Sequence, residues 1–136
     1  MSQLSAFLHP VSLGKEREVV ISSRFQDGEG NSVPFRIRPV TQWENDSITR
    51  LSRRTQKVNG VLQDYLDTVE YNRRLVVAAT IIPDFQNKEL CQQYGTLDPL
   101  ELPAKMLLSG EFRKLLTEIL DVSGFSNENP TQEAKN

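Results

Sequence analysis

The chain has 136 residues, and sixteen Lys and Arg against eighteen Asp and Glu leave a net charge of −2; this is room for one ordinary domain and unlike the basic balance of a general nucleic-acid binder. A single histidine, His9, and a single cysteine, Cys91, exclude an internal disulfide and a His/Cys zinc cage, and any Ser-His-acid triad would depend on His9 alone. A hydrophobic fraction of 38% and a charged fraction of 25% describe a small soluble protein without the marks of an enzyme.

Leu4, Phe7 and Leu8 fall at i, i+3, i+4 and predict a one-turn amphipathic helix that Pro10 stops. In Glu18 to Phe25 the residues Val19, Ile21, Ser23 and Phe25 alternate onto one face, and Val33, Phe35 and Ile37 do the same after a turn sequence carrying Asp27-Gly28 and Gly30. This pattern predicts a β-hairpin whose apolar face needs a cover. Pro34 cannot donate to a ladder, so its strand is expected at an edge.

Everything after Pro39 is expected to be helical. Thr41-Gln42-Trp43-Glu44 has the form of a capping box, opening a helix expected to reach about Lys57 and to end near Asn59-Gly60. A second helix is expected from Leu62 to Ile82, with Leu62, Tyr65, Leu66 and Val69 on one stripe and Tyr71, Leu75, Ala78 and Ile82 on the opposite side. The β-branched residues of 75–82 leave a strand open there, although length and two alanines favour helix, which Pro83 would end. A short helix follows from Asn87, its N-cap, to Tyr94, with Gly95 as its stop. Another starts at Asp98-Pro99-Leu100-Glu101, or at Pro103. The last, Gly110 to Ser123, carries Phe112, Leu115, Leu116 and Ile119 at i, i+3, i+4, i+7 and closes on Gly124-Phe125. The expected class is α+β: an N-terminal β-hairpin packed against a mainly helical C-terminal part of about four helices. Residues 1–125 make a single domain in this reading, and 126–136, without a large apolar residue, a disordered tail.

The chemistry-bearing residues are few. His9 lacks a nucleophile and an orienting partner, so a surface or capping role ranks above a catalytic one. Cys91, in a short amphipathic helix, is expected to be a half-buried structural thiol. Gly28 and Gly30 lie between strands and make no phosphate loop. The acidic pairs Asp64/Asp67 and Glu118/Asp121 carry no metal or glycosidase assignment, and the second has the look of a solvated helix face. Arg50, Arg53, Arg54 and Lys57 fall at i, i+3, i+4, i+7 and would share one helix face, either as a contact for an anionic partner or, ranked higher, as a solvated surface. Trp43 is expected to cover the hairpin face rather than stand exposed as a partner anchor. No catalytic, cofactor or metal residue is assigned.

No basic, apolar export signal opens the chain, and its longest apolar run, 75–82, is far short of the ~20 residues that span a bilayer. A reducing cytoplasm is the expected compartment.

In their order the residue strings resemble the phage tail assembly chaperones of the XkdN-like type. The matching stretches are Leu4-Ser5-Ala6-Phe7-Leu8, Ser23-Arg24-Phe25-x-Asp27-x-x-Gly30, and Phe35-x-Ile37-Arg38-Pro39-Val40-Thr41. They continue through Asn72-x-x-Leu75-Val76-Val77-Ala78-Ala79-Thr80, Ile82-Pro83-Asp84-Phe85-x-Asn87-x-Glu89-Leu90, Tyr94-Gly95, Met106-Leu107-x-x-Gly110-Glu111-Phe112 and Gly124-Phe125. The resemblance spans about residues 4 to 125, with 49–61 and the tail departing from it. It implies a non-enzymatic protein without a cofactor that binds the tape measure protein, keeps it soluble during tail assembly and is absent from the mature virion. It gives no binding residues. The weak candidates for partner contact are therefore those of the pattern itself: Arg50, Arg53, Arg54, Lys57, Leu62, Tyr65, Leu66 and Val69, beside the Leu4/Phe7/Leu8 patch and the last helix. Self-association into a homo-oligomer is a further expectation. The competing readings are a tail-completion or connector protein of the virion and a small nucleic-acid-binding regulator; a membrane role is excluded.

Overall fold

The computed structural model describes residues 3–11 and 16–125; the tail expected to be disordered, 126–136, lies outside them. In chain order the elements are α1 (Gln3–Leu8), β1 (Arg17–Val19), β2 (Phe35–Ile37), α2 (Gln42–Leu51), β3 (Arg53–Val58), β4 (Val61–Leu66), α3 (Thr68–Ala79), β5 (Thr80–Ile82), α4 (Lys88–Gln93), α5 (Leu102–Met106) and α6 (Ser109–Val122). The architecture is α+β, as the sequence pattern predicts. It contains a second hairpin that the pattern did not reveal, and five helices rather than about four follow the first.

The N-terminal hairpin forms, with Arg17 opposite Ile37 and Val19 opposite Phe35. Its strands are shorter than the alternation suggests, and Gln26 and Ser32 close the connecting loop through an isolated bridge. The strand after Pro34 is central rather than at an edge: β5 pairs with its other side, Ile37 opposite Thr80, in the order β1-β2-β5. Proline's missing donor does no harm because Pro34 stands just before the first paired residue. Phe35 and Ile37 are buried on one face and bring the sheet onto the helices.

Local signals hold where they are chemically specific. Thr41 caps α2 by accepting from the Glu44 amide, while the Glu44 carboxylate reaches back to the Thr41 amide. Asn87 accepts from the Leu90 amide at the start of α4, and Gly95 follows its end in the left-handed region (φ 75°). The fifth helix starts at Leu102, beside Pro103, whereas Asp98 caps only the preceding turn, accepting from the Leu100 amide. At the end of α6 the Phe125 amide donates to Leu120 and the Gly124 amide to Asp121, the paired bonds of a glycine-terminated helix.

The long second helix is corrected. Residues 61–66 are strand, α3 occupies only Thr68–Ala79, and the strand left open in 75–82 is realised as β5. Asp67 caps α3 by accepting from the Glu70 amide. Pro83 ends a strand rather than a helix, joined to Ile82 by a cis peptide.

Around α3 the core closes. Leu75, Val76 and Ala79 are buried with Phe35, Ile37, Phe85, Leu102, Leu115 and Ile119 in a single cluster, and α3 packs on α2, α5 and α6. Three arginines fasten the periphery to this frame. Arg17 donates to Glu118 at 2.9 Å and Asp121 at 2.8 Å, fixing β1 to α6 through an acidic pair that lies on the solvated side of the helix. Arg24 forks onto Glu111 at 2.9 and 2.5 Å, also donates to the Met106 carbonyl, and lies over the Phe25 ring. Arg38 forks onto Glu44 at 3.0 and 2.7 Å. Arg38 holds the Glu44 carboxyl at about 2 instead of the usual 4.5, and Arg24 does the same to Glu111.

A carboxylate whose folded value is depressed supplies stability that is complete above the unfolded value and is lost as pH falls through the folded one. Urea melts should therefore show stability falling between about pH 4.5 and about 2. In the Glu44→Gln/Glu111→Gln double variant stability should be lower at neutral pH and its decline below pH 4.5 shallower; an unchanged slope would contradict these assignments.

Candidate partner-binding surface

Besides singly exposed residues such as Leu97 and Leu108, large apolar side chains cluster at the surface in three places. The first is α1. Its spacing forms the expected helical turn, and Leu4, Phe7 and Leu8 are all exposed, Phe7 by 80%. His9 follows on the surface, its amide donating to the Ser5 carbonyl.

The second is the β3–β4 hairpin, which overturns the expected helix to Lys57. Ser52 ends α2, buried, with its hydroxyl donating to the Ile48 carbonyl at 2.7 Å. Six residues then pair antiparallel with six, from Arg53 opposite Leu66 to Val58 opposite Val61. The turn between them is Asn59-Gly60 with φ of 54° and 80°, both left-handed, as a two-residue turn matched to strand twist requires. At the base the Asp67 amide donates to the Ser52 carbonyl at 2.8 Å, and Arg54 pairs with Glu70. Every hairpin residue from Arg53 to Tyr65 is exposed, with Leu66 half-buried at the base.

This placement dissolves two sequence-level constellations. Arg50 lies on α2 with its guanidinium on the Ser47 hydroxyl, whereas Arg53, Arg54 and Lys57 lie on β3. Alternation puts Arg53 and Lys57 on one hairpin face with Leu62 and Leu66, and Arg54 on the other with Tyr65. There is thus no continuous basic helix face. Likewise Leu62, Tyr65 and Leu66 form no stripe with Val69, which belongs to α3. Trp43 is also corrected: it stands 80% exposed on α2 and covers nothing.

The third place includes the last helix, a candidate from the pattern, but the pairing of that helix with α3 was not legible in the sequence. A groove of about 390 Å³ runs between α3 and α6, with Val69, Leu107, Phe112 and Leu116 as its apolar lining and Arg73 and Arg113 among its polar residues. Val69 is the one candidate among the eight named from the pattern that lines it. The regular spacing of Phe112, Leu115, Leu116 and Ile119 hid a division of labour. Leu115 and Ile119 are fully buried, and Phe112 and Leu116 are half-buried at the groove. Nothing in the spacing of Arg73 and Arg113, forty residues apart in the chain, could have brought them together.

The remaining reactive group is inside. Cys91 is buried rather than half-buried, its thiol directed at the Phe85 carbonyl at 3.4 Å. Among the described residues no cluster of three or more His, Cys, Asp and Glu is placed to hold a metal, and no helix is long and apolar enough to cross a membrane.

The family model described as phage XkdN-like tail assembly chaperone protein matches residues 4–135. The phage-like element PBSX protein XkdN of Bacillus subtilis (strain 168) is 34% identical over 127 residues, covering 90% of this chain and 85% of the relative. The protein YqbN of the same strain is 34% identical over 116 residues, covering 84% of this chain and 78% of YqbN. The crystal structure of YqbN superimposes with a TM-score of 0.75 at 31% identity, covering 93% of this chain and 99% of that one.

The hairpin contributes no fully buried side chain. Replacing residues 54–65 by Gly-Gly should leave the helical circular dichroism of the remainder intact and the thermal midpoint within about 5 °C, since the ion pair lost is a surface pair worth at most about 1 kcal/mol. Loss of cooperative unfolding would show instead that the hairpin is part of the core.

Proposed function

The chain belongs to the phage XkdN-like tail assembly chaperone family, and from that membership we propose that it binds the tape measure protein and keeps it soluble while the tail assembles. The observation that carries this reading is the separation of a closed core from apolar surface. Leu4, Phe7 and Leu8 on α1, Val61, Leu62 and Tyr65 on the hairpin, and Val69 at the groove all remain exposed. A protein that holds an aggregation-prone client needs such surface, and a folded frame that does not require the client to complete it.

Binding of this kind is stoichiometric and consumes no cofactor. It places the protein with its client in the bacterial cytoplasm, before the virion is finished, and leaves it out of the mature particle. Exposed apolar surface on several elements also supports self-association in the absence of the client, which would shelter the same surface. The nucleic-acid reading has lost its geometric basis, because its four cations do not share a face.

Co-expression with the tape measure protein encoded by the same phage tests the proposal. The client should move from the insoluble to the soluble fraction and co-purify with the chain, and purified phage particles should lack the chain by mass spectrometry. An equally insoluble client with nothing co-purifying, or the chain retained in particles at structural copy number, would overturn it.

A further inference from the structure

We infer that the α3–α6 groove is the seat for one amphipathic helix of the client, apolar along its inner stripe and carrying carboxylates on its flanks; this rests on the chaperone reading above and gives it an address.

The walls decide the form of the occupant. Both are helices, whose backbone donors and acceptors beyond the first turn are spent within their own turns. A strand laid between them would find no ladder to extend and would leave the amides on that side to water and side chains. A helix arrives with its backbone already satisfied and needs to offer only side chains, at i, i+3, i+4 and i+7 spacing. Val69 on α3, Phe112 and Leu116 on α6, and Leu107 in the connection before α6 supply the complementary apolar surface.

The charges decide its chemistry. Arg17, Arg24, Arg36, Arg38, Arg54 and Arg74 each lie against a carboxylate of this chain. Arg50, Arg53, Arg73 and Arg113 meet none among the described residues, and of these four Arg73 and Arg113 line the groove, one from each wall. A guanidinium on either side of an apolar floor selects a helix with an acidic residue on either side of its apolar stripe, and disfavours a basic one. The same argument excludes α1 of a second copy as the occupant: that helix has the apolar residues but no carboxylate between Gln3 and Leu8.

Overlapping peptides of roughly 25 residues covering the tape measure protein, long enough to form a helix on binding, are titrated against the full-length chain by fluorescence anisotropy. Those that bind should be amphipathic helices with acidic flanks. Arg73→Glu/Arg113→Glu should weaken the tightest of them at least about tenfold, and Val69→Asp, at a site 58% exposed and so tolerant of the change, should do the same. The control Lys88→Glu reverses one charge on α4, outside the groove lining and the hairpin, and should shift affinity less than about twofold where Arg73→Glu alone weakens it. Circular dichroism melts confirm that each variant is folded. Equal weakening by the control, undiminished binding by the groove variants, or binding confined to basic or extended peptides would overturn the assignment. If the client is solubilised on co-expression yet no peptide binds, the groove assignment fails and the chaperone reading stands. If the wild-type chain neither binds a peptide nor retains the client, both fall.

Discussion

The burial of one face of α3 is the interaction on which the rest of the molecule depends. Leu75, Val76 and Ala79 sit almost without solvent contact, and the strands, α5 and α6 are arranged so that Phe35, Ile37, Leu102, Leu115 and Ile119 can meet them. The chain turns directly from α3 into β5, so the helix that organises the core also supplies the third strand of the sheet. Polar contacts then fix the angles. Arg17 and Arg24 hold the N-terminal segment to α6 through carboxylates spaced along one side of that helix, and the Ser123 hydroxyl accepts from the Val40 amide at the other end. None of these exposed pairs adds much stability alone. Their effect is to set where the apolar surfaces come together.

A core closed in this way leaves its excess outside. The β3–β4 hairpin has no layer over either face, and a two-stranded ribbon in water is marginal by itself. Its Asn-Gly turn and the contacts at its base hold it in shape without helping the rest of the fold. The first helix is in the same position, one turn long with its apolar residues in solvent. Such features are costly for an isolated protein and useful for one whose task is to occupy another chain's sticky surface until assembly begins. The groove differs in kind from these two, because its walls belong to the core helices and its shape is therefore set before any partner arrives.

What could be read from the sequence was what local chemistry determines. The caps at Thr41 and Asn87 and the glycine ending at Gly124 each need only a few adjacent residues, and all three are where the sequence places them. The hairpin at 53–66 was misread because its residues satisfy two periods at once. Arg50, Arg53, Arg54 and Lys57 keep helical spacing, as do Leu62, Tyr65, Leu66 and Val69, and these coincidences outweighed the Asn59-Gly60 step between Val58 and Val61. That dipeptide is a strong hairpin signal, and giving it priority would have corrected the element. Trp43, expected to cover the hairpin face, stands in solvent instead, because its position is opposite Ile48, the buried residue of α2. The groove was beyond the sequence for a different reason. Its lining residues come from α3, α5, the connection before α6 and α6 itself, and only tertiary packing brings Arg73 to face the same space as Arg113.

The central claim is that the core is complete in the free protein and that a partner engages the surface outside it. Methyl NMR spectra of the chain, recorded with and without a helical segment of the tape measure protein, test it directly. The account predicts that the methyl signals of Val69 and Leu116 shift on binding while those of Leu75, Leu115 and Ile119 keep their positions and line widths. Shifts or broadening centred on the core methyls would contradict it, because the client would then be gripped by opening the fold.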